Sequence, residues 1–203
     1  MSLTIVPATP AHFPAIIDVL VEAFVHDPGF ARLIPQPDPQ AKKLRALFDL
    51  QIHKQYAAFG NIDIAMDEEG SLVGVSLWDR PDGNHSLKDQ VKLLPHLVHI
   101  FGVKTAHLVA AELHSARFHP KFPHWYLYVI ATKESARGTG VGTELLGSGI
   151  ARAGDEAIYL EATSTRAAQL YHRLGFVSLG YIPSNAEGPQ ELAMWRPPTL
   201  PTT

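Results

Sequence analysis

The chain contains no cysteine. Disulfides, thiolate metal sites and a cysteine nucleophile are thereby excluded. It carries no strong charge of either sign, the formal net charge being -3, and so lacks the basic face that a nucleic-acid binder presents. No run approaches the roughly 18 apolar residues of a membrane span. The opening MSLTIVPATPAHFPAIIDVLVEAF has neither the basic region nor the apolar core and cleavage site of a signal peptide. These absences suit a soluble protein of the reducing cytoplasm that binds neither nucleic acid nor membrane. What is present is ordinary globular material, 46% hydrophobic and 18% charged over 203 residues, enough for one substantial domain.

Periodicity places the elements. Residues 3–8 read as a short strand, and Thr9-Pro10 as a helix cap with proline at the first helical position. Phe13, Ile16, Ile17, Leu20 and Phe24 recur at helical spacing. FARLIPQPDPQ, with Pro35, Pro37 and Pro39, reads as a loop, and Leu44, Leu47, Phe48 and Ile52 restart a helical stripe. Residues 61–66 and 71–78 form a predicted hairpin across Asp67-Glu68-Glu69-Gly70. Residues 84–118 turn helical and are expected to be an insertion rather than a domain. HWYLYVIAT, 124–132, is the strongest strand. It is followed by an amphipathic helix through Val141, Leu145, Leu146 and Ile150, a strand at 157–162, a helix through Ala167, Leu170, Tyr171 and Leu174, and strands at 176–182 and 191–195. An antiparallel first half joined to a βαβα second half predicts an α/β domain with a mixed sheet. The tail from 197 is expected to fray.

The segment ESARGTGVGTELL places Gly138, Gly140 and Gly142 where the strongest strand gives way to a helix. Glycine loses more backbone entropy on folding than other residues, so three of them at a helix mouth need a reason. Unpaired amides of a helix first turn, its dipole and a missing Cβ together make a site for an anion such as phosphate, and Arg137 adds a fixed positive charge. A Walker loop is excluded because Gly142 is followed by Thr143-Glu144, and the dinucleotide fingerprint fails on glycine spacing.

Arg137-Gly138-Thr139-Gly140-Val141-Gly142 resembles the R/Q-x-x-G-x-G/A acyl-coenzyme A motif of the GNAT superfamily of N-acetyltransferases. Leu170-Tyr171-His172-Arg173-Leu174-Gly175-Phe176 is similar to that family's L-Y-x-x-x-G-F. His124-Trp125-Tyr126-Leu127 and Tyr159-Leu160-Glu161 resemble segments of its puromycin N-acetyltransferase-like branch. The resemblance implies a single GNAT-like domain over 1–203: a mixed, mostly antiparallel sheet with a splayed central parallel pair, flanked by helices.

It also implies roles. Amides of Arg137, Gly138, Thr139, Gly140, Val141, Gly142 and Thr143 would hold the diphosphate of acetyl-CoA. Backbone groups of Ile130, Ala131 and Thr132 would pair with the pantetheine arm. Ser164 stands where relatives carry asparagine, and its hydroxyl can bond to backbone or pantetheine. Tyr171 would be the general acid at the departing thiolate. For the base that takes the amine proton, Glu161 is the first candidate and His124 the second. Glu134 replaces a proline common in the family.

The expected activity is direct transfer of an acetyl group from acetyl-CoA to a primary amine, of a small molecule if the puromycin-branch likeness holds. The alternative is a non-catalytic acyl-CoA-binding or sensor module. Homodimerisation stays open. The chain's histidines, with His96 and His99 at i, i+3 and His114, His119 and His124 behind them, form no catalytic zinc pattern, and no metal is expected.

Overall fold

A computed structural model of the chain describes residues 2–34, 38, 41–57, 61–81, 87–183 and 190–199. Its strands are β1 (Thr4–Pro7), β2 (Ile62–Met66), β3 (Leu72–Asp79), β4 (Trp125–Thr132), β5 (Ile158–Ala162), β6 (Val177–Tyr181) and β7 (Leu192–Arg196). They form one seven-stranded sheet in the order β1-β2-β3-β4-β5-β7-β6. Every neighbouring pair is antiparallel except β4 and β5. The helices are α1 (Phe13–Phe24), α2 (Pro28–Leu33), α3 (Lys42–Gln51), α4 (Leu87–Phe101), α5 (Thr105–Ser115), α6 (Val141–Ala153) and α7 (Thr165–Arg173).

Two cores sandwich the sheet. Phe13, Ile16, Ile17 and Leu20 of α1 and Leu44, Leu47 and Phe48 of α3 pack on Ile64, Val75, Leu77 and Val129. Each fully buried aliphatic side chain there contributes about 1.5–3 kcal/mol. On the opposite face Leu146 and Ala153 of α6 and Ala168 and Tyr171 of α7 pack on Trp78, Trp125, Leu127, Ile158 and Leu160. Gly74 lets α6 settle, since a Cβ there would stand 2.5 Å from Val141 Cγ1.

The predicted loop at FARLIPQPDPQ is corrected in its first part. Pro28–Leu33 is helical because Pro28 occupies the first turn and Asp27 Oδ1 accepts from Gly29 N at 2.8 Å and Phe30 N at 3.1 Å. Pro35, Pro37 and Pro39 lie outside the described residues, as do residues 84–86 of the insertion and 200–203 of the tail. α3 ends in a π-helical turn, Ile52–Tyr56. The insertion is two helices broken at Gly102, whose φ is 57°. Taken together Val91–Ser115 is long and apolar enough, with hydropathy 1.2, to span a membrane on composition alone, which corrects the expectation that no segment approaches this. The break leaves α4 with 15 residues and α5 with 11, each shorter than the ~20 a span requires. At the other end Thr199 N donates to Asp155 O at 3.0 Å.

Candidate active site

The site begins with an extra residue. Leu77 opposes Val129 but Trp78 opposes Leu127, so Tyr128 is a bulge in β4. A bulge bends its strand and re-aims its side chains. Leu127 accordingly packs with α6 and Val129 with α1 and α3, although they stand two apart on one strand. The parallel ladder to β5 stops at the same place, after Trp125↔Ile158, Tyr126↔Tyr159 and Leu127↔Leu160. Ile130, Ala131 and Thr132 pair with β3 on one side, opposite Ser76, Val75 and Gly74, and have no strand partner on the other among the described residues. The central pair is splayed.

β4 leads into a short turn, Glu134–Ala136, and then into α6. Glu134 N donates to Glu22 Oε1 at 2.7 Å, which fixes the turn without the family's proline. Gly138 and Gly140 take φ of 85° and 96°, a region where a Cβ is strained. The amides divide into two groups. Arg137 N donates to Glu134 O at 3.2 Å, Thr139 N to Ala136 O at 3.4 Å and Thr143 N to Gly140 O at 2.9 Å. Those of Gly138, Gly140, Val141 and Gly142 have no protein partner among the described residues. Four open donors lie at and just before the first turn of a 13-residue helix, where phosphate is favoured. The Val141 side chain itself is core, 1% exposed. Arg137 is exposed beside the loop. Arg166, which the sequence reading did not single out, brings Nη2 within 3.9 Å of where a Gly138 Cβ would stand.

Ser164 caps α7, its Oγ accepting from Ala167 N at 3.2 Å. Tyr171 lies one residue beyond Leu170, whose side chain borders Gly142. Its ring is 5.9 Å from that of Phe176, and its hydroxyl has no hydrogen-bond partner among the described residues. Burial pushes the phenol up to about 12, so it keeps its proton at neutral pH.

Glu161 points from β5 to the opposite face. Its Oε1 accepts from Ser115 Oγ at 3.2 Å and Tyr159 OH at 3.1 Å, Oε2 accepts from Tyr126 OH at 3.0 Å, and His119 Nε2 lies 3.3 Å from Oε1. Burial raises the carboxyl pKa, yet the hydrogen bonds and charge of His119 and the two tyrosines outweigh it and hold Glu161 below its ordinary value. Burial, with Glu161 adding to it, pushes both tyrosines up. His119 packs 4.6 Å from Tyr126 and 4.8 Å from Tyr159 by ring centroid. His124 is half-buried between Tyr159 and Trp195. Its Nδ1 is 2.6 Å from Phe122 O. A carbonyl only accepts, so the proton is on Nδ1 and Nε2 is open. Burial lowers the His124 pKa, His119 adds to this, and the Phe122 carbonyl opposes it.

The fold thus gathers Glu161 and His124 with His119 and Ser115 on one face of the splay, and sets Tyr171 and the glycine loop on the other. His119 lies in the segment after α5, where no periodicity marks it. Ser115 shows that the insertion reaches the site. Trp78, by contrast, is plain core.

Residues 35–176 match the acetyltransferase (GNAT) family. This chain belongs to the GNAT family. A GNAT relative from Corynebacterium glutamicum, called histone acetyltransferase HPA2 and related acetyltransferase, is 65% identical over 100% of both chains, with a TM-score of 0.85. Arylalkylamine N-acetyltransferase 2 of Aedes aegypti is 14% identical over 96% of this chain and 98% of its own, with a TM-score of 0.65. Polyamine N-acetyltransferase of Drosophila melanogaster is 18% identical over the same shares, at 0.60. These two show the fold alone. No curated protein matches the chain. GNAT proteins generally use acetyl-CoA as co-substrate, and the open amides beside an unpaired strand edge fit its diphosphate and its amide-bearing arm.

Proposed function

We propose that the protein is an acetyl-CoA-dependent N-acetyltransferase acting on a primary amine of a small molecule, by direct attack in a ternary complex. The observation that carries this reading is the β4–β5 ladder ending at Leu127↔Leu160, with open amides and Tyr171 on one face and Glu161 on the other. Gly138, Gly140, Val141 and Gly142 hold the diphosphate through their amides, with Arg137 and Arg166 beside it. Ile130, Ala131 and Thr132 offer the free edge of β4 to the pantetheine arm. Acetyl-CoA supplies the activated thioester.

Glu161 serves as an anchor rather than the base. Its oxygens already face four donors and it is held ionised, so its capacity to accept a further proton is small. It orients His119 through Nε2, while His124 keeps Nε2 open. This histidine pair takes the proton that the amine loses as its nitrogen bonds to the acetyl carbon. Tyr171 donates a proton to the sulfur as the carbon–sulfur bond breaks, which balances the transfer. The small acceptor is supported by the enclosure of the cluster, where the Glu161 side chain is 12% exposed.

Thiol release from acetyl-CoA over a panel of amines tests the reading. Turnover lost in Tyr171→Phe with CoA binding retained supports it. Tight CoA binding with no turnover on any amine identifies a non-catalytic acyl-CoA-binding module instead.

A further inference from the structure

A buried polar atom on the α3 face lacks a partner among the described residues. Gln51 Nε2 donates to Tyr128 OH at 2.6 Å, while Gln51 Oε1 is buried with no hydrogen-bond partner among the described residues. Buried acceptors are ordinarily satisfied, so this one points to something it binds. Gln51 is the last residue before the π-helical turn Ile52–Tyr56, a local form concentrated at functional sites. That turn carries Tyr56 into the interior with its hydroxyl 3.4 Å from Asp79 Oδ2. Asp79 stands opposite Tyr126 in the β3–β4 ladder, and Tyr126 is the residue that donates to Glu161.

The two polar ends are joined by a wall of tyrosines. Ring centroids step 5.8 Å from Tyr159 to Tyr126, 6.3 Å from Tyr126 to Tyr128 and 5.8 Å from Tyr128 to Tyr56, the last pair stacked at 22°. Burial first, and then the charges of Asp79, Glu112 and Glu161, keep the phenols of Tyr56, Tyr126 and Tyr128 protonated. The wall is therefore uncharged, and aromatic faces attract cations. At its reacting end stand Glu161 and the histidines. At its far end stand an acceptor oxygen and a second carboxylate.

Resting on the N-acetyltransferase reading, we propose that the acceptor is a diamine whose second, protonated amino group is received by Gln51 Oε1 and Asp79 against the rings of Tyr56 and Tyr128. Asp79 lies opposite Tyr126, Tyr126 opposite Tyr159, and Glu161 is two residues further along. Two interstrand steps and two residues of rise separate the backbones of Asp79 and Glu161 by about 12 Å. Side chains reaching inward from both ends shorten that to the length of a flexible diamine of about four to six carbons.

The experiment compares α,ω-diamines of increasing length with the monoamine of each length, using the intact protein, acetyl-CoA and thiol release. The diamine is expected to exceed its matched monoamine in kcat/KM by about tenfold at the best length, as for one hydrogen bond to a charged group. Gln51→Leu is expected to remove that advantage and leave monoamine turnover unchanged, with a lower melting temperature because the buried Tyr128 hydroxyl loses its donor. Asp79→Asn is expected to raise KM for the diamine alone. Equal kcat/KM on the two series, or equal losses on both in either folded variant, overturns the diamine inference and leaves the transferase reading standing. Absence of thiol release with every amine overturns the transferase reading, and this inference with it.

Discussion

Gly149, in the middle of α6, lies flat against the indole of Trp78, so close that a Cβ on the glycine would stand 2.1 Å from Trp78 Cζ2. Trp78 is fully buried and donates from Nε1 to Ser76 Oγ at 3.0 Å, so the ring cannot swing aside without losing that bond. The contact sets how near α6 approaches the sheet, and through α6 where the glycine loop sits. Gly149→Ala is expected to lower stability by about 1–3 kcal/mol despite the better helix propensity of alanine. Thermal unfolding checks it, and an unchanged or higher melting temperature contradicts it.

Arg152, one turn further along α6, grips Asp63 with Nη1 2.7 Å from Oδ1 and Nη2 2.6 Å from Oδ2. Asp63 is 3% exposed and is the second residue of β2. The guanidinium also lies 5.8 Å from the Trp78 ring and 5.4 Å from that of Trp125. Asp63→Ala leaves a half-buried cation without its partner and is expected to cost about 3 kcal/mol, near the lower end for buried pairs because the Arg152 side chain keeps 30% exposure. Denaturant titration of Asp63→Ala beside wild type reads this directly.

Glu161 gives stability a pH dependence of known sign. Its pKa is held below the ordinary carboxylate value, with burial opposed by the donors from His119, Tyr126 and Tyr159. The unfolded chain therefore binds this proton first as pH falls. The contribution is fully present above the unfolded value of about 4.3 and is lost as pH drops through the folded one. Glu161→Gln is expected to be less stable at neutral pH by about 1–3 kcal/mol and to flatten the acid limb of the stability curve. Equal acid sensitivity in the two proteins contradicts it.

His124 and Tyr171 shape the pH profile of activity. Burial, with His119 adding, holds His124 below its usual range, so the acid limb of kcat/KM is expected below pH of about 6.5. Replacing both His119 and His124 with glutamine is expected to remove that limb and lower kcat by about 10²–10⁴-fold. Tyr171, pushed up to about 12 by burial, places no descending limb at mildly alkaline pH. A descending limb in kcat between roughly pH 8 and 10 contradicts this assignment.

Strict periodicity made most of the scaffold legible. The stripe Phe13, Ile16, Ile17, Leu20 became the buried face of α1, and the aromatic, β-branched run after His124 became β4. α2 is hard to read in sequence because it is only six residues long and runs into a proline-rich stretch, so its one signal is the cap Asp27-Pro28. The bulge at Tyr128 has no glycine or other local marker, since one extra residue in a β-rich run preserves composition and changes only register. The insertion of β7 between β5 and β6 is a non-local pairing that no window of sequence encodes. At the site, glycine spacing pointed to the phosphate loop. The four donors around Glu161 come from α5, β4, β5 and the segment after α5, and only folding brings Ser115, His119, Tyr126 and Tyr159 to one carboxylate.

The central claim is that a phosphate-bearing ligand approaches the bare amides at the start of α6, and Gly142 tests it most directly. A Cβ at Gly142 would meet Leu170 Cδ2 at an ordinary 3.7 Å, and one at Gly147 would meet nothing within 4 Å. Both glycines are helical, and a Cβ at either makes at most an ordinary contact, so Gly142→Asp and Gly147→Asp are both expected to keep the fold, the aspartate at 142 favoured further by its place in the first turn. Calorimetric titration of CoA into wild type, Gly142→Asp and Gly147→Asp should give near wild-type affinity for Gly147→Asp and at least about tenfold weaker binding for Gly142→Asp, whose carboxylate stands at the amides that face the diphosphate. Equal affinity in all three proteins, or no heat of binding in any, contradicts the account.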